Sequence, residues 1–119
     1  MIYHICNKND WENALQKGFY KPENYEKDGF IHFSKPEQVC DTANRFYKNN
    51  KDLVLLEVED QEDPLVRFEN PPENPGDLFP HYYGILRIEK VLRVLPFPQQ
   101  EDGTFTLNSN INSGKSYSK

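Results

Sequence analysis

Residues 52–58, with the sequence DLVLLEV, constrain the fold more than any other segment, because their apolar side chains do not alternate with polar ones. Alternation is typical of a strand with one face in water, whereas an unbroken aliphatic run is typical of a strand covered on both faces. The whole chain has 119 residues, which is enough for one domain. We therefore expect a sheet with this strand in a central position.

Two helices are predicted before this strand. The first begins near Asn9 and ends at Gly18, since glycine favours the left-handed backbone of a helix C-terminus. The second begins at a capping box, Ser34 with Glu37, and runs to about Lys48. Because strands and helices do not alternate regularly, the pattern predicts an α+β fold with small mixed, largely antiparallel sheets and two main helices. The other predicted strands cover residues 2–6, 30–33, 65–69, 85–88, 92–95 and 105–107.

One end of the chain differs in composition from the rest. Residues 108–119, NSNINSGKSYSK, are polar and contain only two large apolar side chains. Such a segment cannot bury enough surface to offset the entropy lost on ordering. We expect a single globular domain at residues 1–107 and a disordered tail at residues 108–119.

The balance of charges argues against broad nucleic-acid binding. The chain has 14 basic and 19 acidic residues, a net charge of −5, and it lacks the basic stripe that neutralises phosphates. A small nucleotide in a local basic pocket is still compatible with this charge. No apolar run is long enough to cross a bilayer, and the first residues do not resemble a signal peptide. These features predict a cytoplasmic protein that makes no membrane contact. A monomer is the favoured oligomeric state.

Three histidines, His4, His32 and His81, lie in or beside predicted strands and are flanked by apolar residues. One interpretation is that each imidazole packs in the core with its nitrogens hydrogen-bonded. The other is that the strands direct them into one cleft, where imidazole can donate and accept protons near neutral pH. Ser34 shares a strand face with His32 if extended geometry continues, although its hydroxyl is also suited to cap the second helix. The residues alone leave these alternatives open.

Arg67 and Glu69 share one face of a predicted strand, because they alternate with apolar residues. In one interpretation they form an ion pair on a solvated face. In the other, the guanidinium keeps the carboxylate ionised so that it can face a cationic transition state. Glu57, near the end of the central strand, is a second candidate carboxylate. The histidines and cysteines match no metal-binding spacing, so no metal site is predicted.

Several short motifs occur in an order that identifies a family. They are YHI at residues 3–5, GFIHFS at 29–34, DLVLLEV at 52–58 and FPHYYG at 79–84. Together they resemble the small bacterial family catalogued as domain of unknown function 952, over residues 1–107. The resemblance implies an ADP-ribosylation-like fold, similar to that of ADP-ribosyltransferases, with two small sheets around an NAD cleft. The IHFS run also looks like the matching run in RNA 2′-phosphotransferases, which share that fold.

The resemblance also implies roles for individual residues. In such enzymes a first-strand histidine holds the NAD ribose, a second-strand histidine or aromatic residue flanks the nicotinamide, and a late-strand glutamate assists the reaction. The matching positions, implied to be catalytic, are His4, His32 and Glu69. Those implied to bind substrate are Ser34, Arg67, His81 and Tyr83. NAD is the cofactor that the resemblance implies, and a small nucleotide is the implied ligand.

Three functions fit the residues. The first is an NAD-dependent enzyme that transfers ADP-ribose or removes a 2′-phosphate. The second is a catalytically silent nucleotide-binding module on the same fold. The third is a small protein-interaction domain in which the histidines are structural. A shared fold does not distinguish among them, because function depends on the site.

Overall fold

The central position predicted for residues 52–58 is confirmed by the computed structural model, which describes residues 1–71 and 76–106. The predicted tail at residues 108–119 lies outside the described residues, so its disorder stays a prediction. The helices are α1 (Lys8–Lys17), α2 (Tyr25–Asp28) and α3 (Val39–Phe46). The strands are β1 (Ile2–Asn7), β2 (Phe19–Tyr20), β3 (Ile31–His32), β4 (Leu53–Val58), β5 (Val66–Glu69), β6 (Phe79–Tyr82), β7 (Leu86–Arg87) and β8 (Val91–Pro96).

The core is built around β4, which lies between β1 and β8 and is antiparallel to both. All six residues of β4 are buried. One face of this sheet packs on a cluster that includes Trp11, Tyr20 and Tyr82. The other face packs on Val39 and Ala43 of α3. Because both faces are covered, four successive residues of β4, Leu53–Leu56, can all be apolar, which explains the unbroken apolar run.

Two smaller sheets complete the fold, one formed by β2 and β7 and the other ordered β3-β6-β5. Every strand pair in the described ranges is antiparallel. This arrangement confirms the predicted α+β class, with small antiparallel sheets and two main helices, α1 and α3. Within residues 1–71 and 76–106, no helix is long and apolar enough to span a membrane.

The ends of α1 show what local sequence can and cannot predict. The predicted cap at Asn9 is wrong by two positions, because the Asn7 side chain accepts a hydrogen bond from the Asn9 N–H at 2.8 Å. The predicted end at Gly18 is confirmed. Gly18 has a φ of 87°, and its N–H donates to the Ala14 carbonyl at 2.8 Å. Glycine adopts this left-handed backbone without the steric cost that other residues incur.

The start of α3 also differs from the prediction, because Ser34 is not a helix cap. Its backbone exchanges two hydrogen bonds with Tyr3, at 2.9 and 2.7 Å, so Ser34 still belongs to the sheet. The Ser34 hydroxyl instead donates to the Thr42 hydroxyl at 3.3 Å. A short 3₁₀ helix precedes α3, and there the Gln38 side chain accepts a hydrogen bond from the Lys35 N–H at 2.9 Å. Because Ser34 stays paired with Tyr3 in the sheet, it does not form the predicted capping box with Glu37.

Candidate functional site

A cavity of about 710 Å³ lies along the outer edge of β1, between α3 and the segment that joins β2 to α2. We call it the edge cavity. Four of the sequence-predicted site residues line it: His4, His32, Ser34 and His81. Its volume lies within the range of roughly 300–1,000 Å³ that is typical of small-molecule sites.

The edge cavity exists because the segment that follows β3 pairs with β1 at one residue only and then turns away from it. Ser34 pairs with Tyr3, and the 3₁₀ helix that begins at Pro36 then carries the chain away. Backbone groups two residues apart on a strand point to the same side, so the N–H and C=O of Ile5 point away from β4, as those of Tyr3 do. Ile5 lines the cavity, and no group in the described ranges hydrogen-bonds its backbone there. The cavity wall thus presents a peptide donor and acceptor, which buried backbone normally pairs.

His4 is a buried, neutral residue with both ring nitrogens engaged. Its Nδ1 lies 2.6 Å from the His32 carbonyl oxygen, and its Nε2 lies 2.8 Å from the Tyr20 hydroxyl. Because a carbonyl can only accept, Nδ1 carries the proton and Nε2 accepts from Tyr20. Burial lowers the pKa of His4 to about 4. At the cavity wall His4 therefore acts as a neutral hydrogen-bonding group that ties β1 to the end of β3.

The low pKa of His4 predicts a pH-dependent stability. The pKa is about 4 in the folded protein and about 6.5 in the unfolded chain, so the unfolded state binds the extra proton between these values. Stability from this group is present above pH 6.5 and is lost as the pH falls towards 4. Between pH 7 and pH 5 we expect the free energy of unfolding to fall by about 2 kcal/mol, measured by urea denaturation. In a His4→Gln variant the decrease over the same interval should be much smaller, and an equal decrease would contradict this assignment.

His32 is the exposed histidine of the site. Its side chain is 45% exposed, and its Nε2 lies 2.9 Å from the Asp28 Oδ2 at the end of α2. That same carboxylate oxygen accepts a hydrogen bond from the Asn24 side chain at 2.8 Å. Sequence reasoning missed Asp28 and Asn24, although the spacing of four residues between Asp28 and His32 was an available signal. The result is a solvent-accessible imidazole whose ring is oriented by a fixed carboxylate.

His81 is held in place by a cluster of side chains from β5, from the residue after β6 and from the residue before β3. Its Nδ1 donates to Glu69 Oε1 at 2.7 Å, and the Tyr83 hydroxyl donates to the same oxygen at 2.6 Å. These hydrogen bonds, that of Tyr83 first, lower the pKa of the Glu69 carboxyl and keep it ionised. Arg67 lies over the Tyr83 ring at 4.8 Å, and Phe30 stacks on the His81 ring at 4.0 Å. The cluster fixes the position of His81 in the cavity wall.

This cluster separates the predicted site residues into two groups. His81 and His32 face each other across neighbouring strands, with ring centroids 5.5 Å apart, and both line the edge cavity. Glu69, Arg67 and Tyr83 are not among the described residues that line it. The structure therefore brings His4, His32, Ser34 and His81 together at the cavity. The other three residues lie around His81, outside the cavity lining.

Glu57, the second candidate carboxylate, belongs to a buried network in the central sheet. Arg93 binds it through two hydrogen bonds, from Nε at 2.7 Å and from Nη2 at 2.6 Å, and the Tyr3 hydroxyl donates at 2.7 Å. Burial raises the pKa of Glu57, but these hydrogen bonds outweigh that effect and lower it overall. Burial, together with the Glu57 hydrogen bond, raises the pKa of Tyr3 to about 12. Glu57 is therefore a structural anion rather than a residue of the cavity wall.

The remaining cavity wall is chemically mixed. α3 and the loop after it contribute the hydroxyl of Thr42 and the cationic side chains of Arg45 and Lys51. Aromatic rings come from several elements, among them Tyr20 and Phe33. Among the described residues, no group of three histidines, cysteines or acidic residues could hold a metal ion. Two carboxylates, Asp10 and Asp41, line it as well. The cavity can thus contact a ligand that has an apolar ring, hydroxyl groups and, beside Arg45 and Lys51, negative charge.

Comparison with protein families assigns the chain by sequence. The family described as "Protein of unknown function (DUF952)" matches residues 5–94. The chain belongs to the DUF952 family. The matched segment runs from β1 into β8, and so it includes the edge cavity residues His32, Ser34 and His81. Among curated proteins, none matches the sequence.

Solved structures of one similar protein share the fold of this chain. The crystal structure of protein CC0527 from Caulobacter crescentus is 30% identical, with a TM-score of 0.84, over 93% of this chain and 97% of that one. A crystal structure of a double mutant of CC0527 has the same identity and coverage, with a TM-score of 0.83. The solution NMR structure of CC0527 is 29% identical, with a TM-score of 0.79, over 93% of this chain and 94% of that one.

Proposed function

We propose that this DUF952 protein binds a nucleotide of the NAD type in the edge cavity, on a fold similar to that of ADP-ribosyltransferases. The observation that carries the proposal is the convergence of His32, His81 and Ser34, from two strands and a strand end, on one cavity of about 710 Å³. Polar side chains from separate elements thus meet at one cavity whose volume is typical of small-molecule sites, and this shared position favours a ligand site.

The proposed ligand matches the chemistry of the cavity wall. Aromatic rings such as Phe33 can stack on a base, and the hydroxyls of Ser34 and Thr42 can hydrogen-bond ribose. Arg45 and Lys51 supply positive charge for a pyrophosphate. The backbone of Ile5 offers a donor and an acceptor to an amide-like group. These features together favour a nucleotide over a purely apolar ligand.

The binding proposal is tested by titration calorimetry with ADP-ribose, NAD and adenosine. We expect ADP-ribose and NAD to bind at one site. Lys51→Glu should weaken ADP-ribose binding at least about tenfold, because a charge-assisted hydrogen bond becomes a repulsion. The same variant should change adenosine binding by less than about twofold, because adenosine carries no phosphate.

Lys17→Glu is the matched control, since it makes the same change of charge on α1 away from the edge cavity. It should bind ADP-ribose as the unaltered protein does. The absence of binding at millimolar concentration for all three compounds would contradict the proposal and favour the protein-interaction alternative. Equal weakening by both lysine variants would show that the effect is one of net charge and not of the cavity.

A further inference from the structure

We propose that His32 is the general base of the edge cavity and that Asp28 is its positioning residue. This inference rests on the proposed function, because it assumes an NAD-type ligand in the cavity. It assigns to His32 the removal of a proton from the nucleophile, either water or an acceptor hydroxyl, that replaces nicotinamide on the ribose. The glutamate expected from the family resemblance then has an indirect role.

The geometry leaves His32 as the histidine best suited to exchange protons with a ligand. His4 is buried with both nitrogens engaged, and burial holds its pKa at about 4. His81 is also buried, and its Nδ1 is engaged with Glu69. His32 lines the same cavity with a side chain that is 45% exposed. A group that must reach a mobile nucleophile needs this access.

Glu69 is not placed to take the proton itself. It is hydrogen-bonded to His81 and Tyr83, and it is not among the described residues that line the cavity. Glu57 is held by Arg93 in the central sheet. The two carboxylates therefore cannot receive a proton directly from a nucleophile in the cavity, whereas the exposed imidazole of His32 can.

Asp28 selects the nitrogen of His32 that acts as the base. Its carboxylate can only accept, so the neutral His32 ring carries its proton on Nε2, 2.9 Å from the Asp28 Oδ2. The lone pair then lies on Nδ1, which has no hydrogen-bond partner among the described residues. The Asn24 side chain donates a hydrogen bond to the same Oδ2 and so helps to hold the carboxylate in place. This carboxylate–imidazole arrangement also stabilises the imidazolium that forms when Nδ1 takes the proton.

The step balances with NAD and water alone. The bond between the ribose C1′ and the nicotinamide nitrogen breaks, and its electron pair neutralises the pyridinium nitrogen. The water oxygen forms a new bond to C1′, and its proton passes to His32 Nδ1. The products are ADP-ribose, nicotinamide and one proton, which the imidazolium later releases to solvent. An acceptor hydroxyl replaces water in a transfer reaction with the same balance.

The test combines nicotinamide release from NAD, measured by chromatography, with ADP-ribose binding, measured by calorimetry. His32→Gln should reduce the rate of release about 100-fold or more, since general base catalysis contributes on the order of 10²–10⁴. The affinity for ADP-ribose should change by less than about threefold, because the base acts on the nucleophile and not on the ligand. Asp28→Asn should lower kcat about tenfold or more with KM nearly unchanged.

Asp52→Asn is the matched control for Asp28→Asn, because Asp52 does not line the edge cavity and asparagine tolerates its φ of 59°. It should leave kcat unchanged. Nitrogen-15 NMR gives a readout that a merely structural role would not move. The neutral His32 ring should be protonated at Nε2 in the unaltered protein, and the tautomer ratio should shift towards Nδ1 in Asp28→Asn.

The outcomes separate the two proposals. Binding of ADP-ribose without nicotinamide release by the unaltered protein would overturn the general base and leave the proposed function intact. Release at an unchanged rate by a folded His32→Gln variant would overturn it as well. If ADP-ribose does not bind at all, the proposed function fails, and the general base fails with it.

Discussion

Replacing Arg93 by alanine should lower the free energy of unfolding by about 3 kcal/mol, because it leaves the Glu57 carboxylate buried without its cation. Glu57 is 3% exposed, and it receives two hydrogen bonds from Arg93 at 2.7 and 2.6 Å. Removing one partner of a buried pair costs more than the pair contributes, since the remaining charge keeps its desolvation penalty. Urea denaturation at pH 7 should show a lower midpoint with an unchanged m-value.

Arg87→Ala is the matched control for this measurement. Arg87 is 75% exposed, and its Nε lies 3.6 Å from Glu89 Oε2 at the surface. Such an exposed pair contributes between about 0 and 1 kcal/mol, so the control should lose little stability. If Arg93→Ala loses no more than Arg87→Ala, the network around Glu57 does not stabilise the sheet as described.

Replacing Leu56 by alanine should lower the free energy of unfolding by about 3–4 kcal/mol. Leu56 is fully buried in β4, which has packed side chains on both faces. The variant loses the transfer free energy of the leucine side chain, and it leaves a space that a strand held between two neighbours cannot readily close. Thermal and urea denaturation should both show the loss.

Leu92→Ala tests whether this effect comes from burial. Leu92 lies on the neighbouring strand β8 and is 46% exposed. The same chemical change there should cost less than about 1 kcal/mol, because much of the side chain already contacts water. Similar losses at the two positions would argue against a central, doubly covered β4.

Much of the fold could be predicted from patterns within short segments. The unbroken apolar run of residues 53–56, within the segment 52–58, predicted a central strand, since a strand with one face in water would alternate apolar and polar residues. Gly18 predicted the end of α1, because glycine favours the left-handed backbone of a helix C-terminus. Its φ of 87° agrees, since that angle is strained for a residue with a side chain. Phe46 shows the limit of such patterns. It is aromatic and is the last residue of α3, yet it is 57% exposed, because this end of the helix borders the edge cavity.

Less of the candidate site could be predicted. The sequence placed His4, His32 and His81 on strands, but it could not show that one is buried and neutral while another is exposed beside a carboxylate. Ser34 was misassigned as a helix cap because its pairing with Tyr3 joins residues 31 positions apart in the chain. The Asp28–His32 contact was missed although it is local, because the chain must turn at Gly29 to bring the two together.

The local order of amino acids is enough to predict the class of fold, the central strand and the location of the three histidines in or beside strands. These features depend on the hydrophobic period and on the placement of glycine, both of which act over a few residues. The surroundings of each histidine depend on contacts between distant segments. The pairing of β3, β6 and β5 sets His32 beside His81 and Arg67 beside His81. A shift of one residue in either register would turn every side chain of a strand to its opposite face. Packing of the whole domain selects that register. It therefore decides which imidazoles line the edge cavity and which carboxylate hydrogen-bonds to His81.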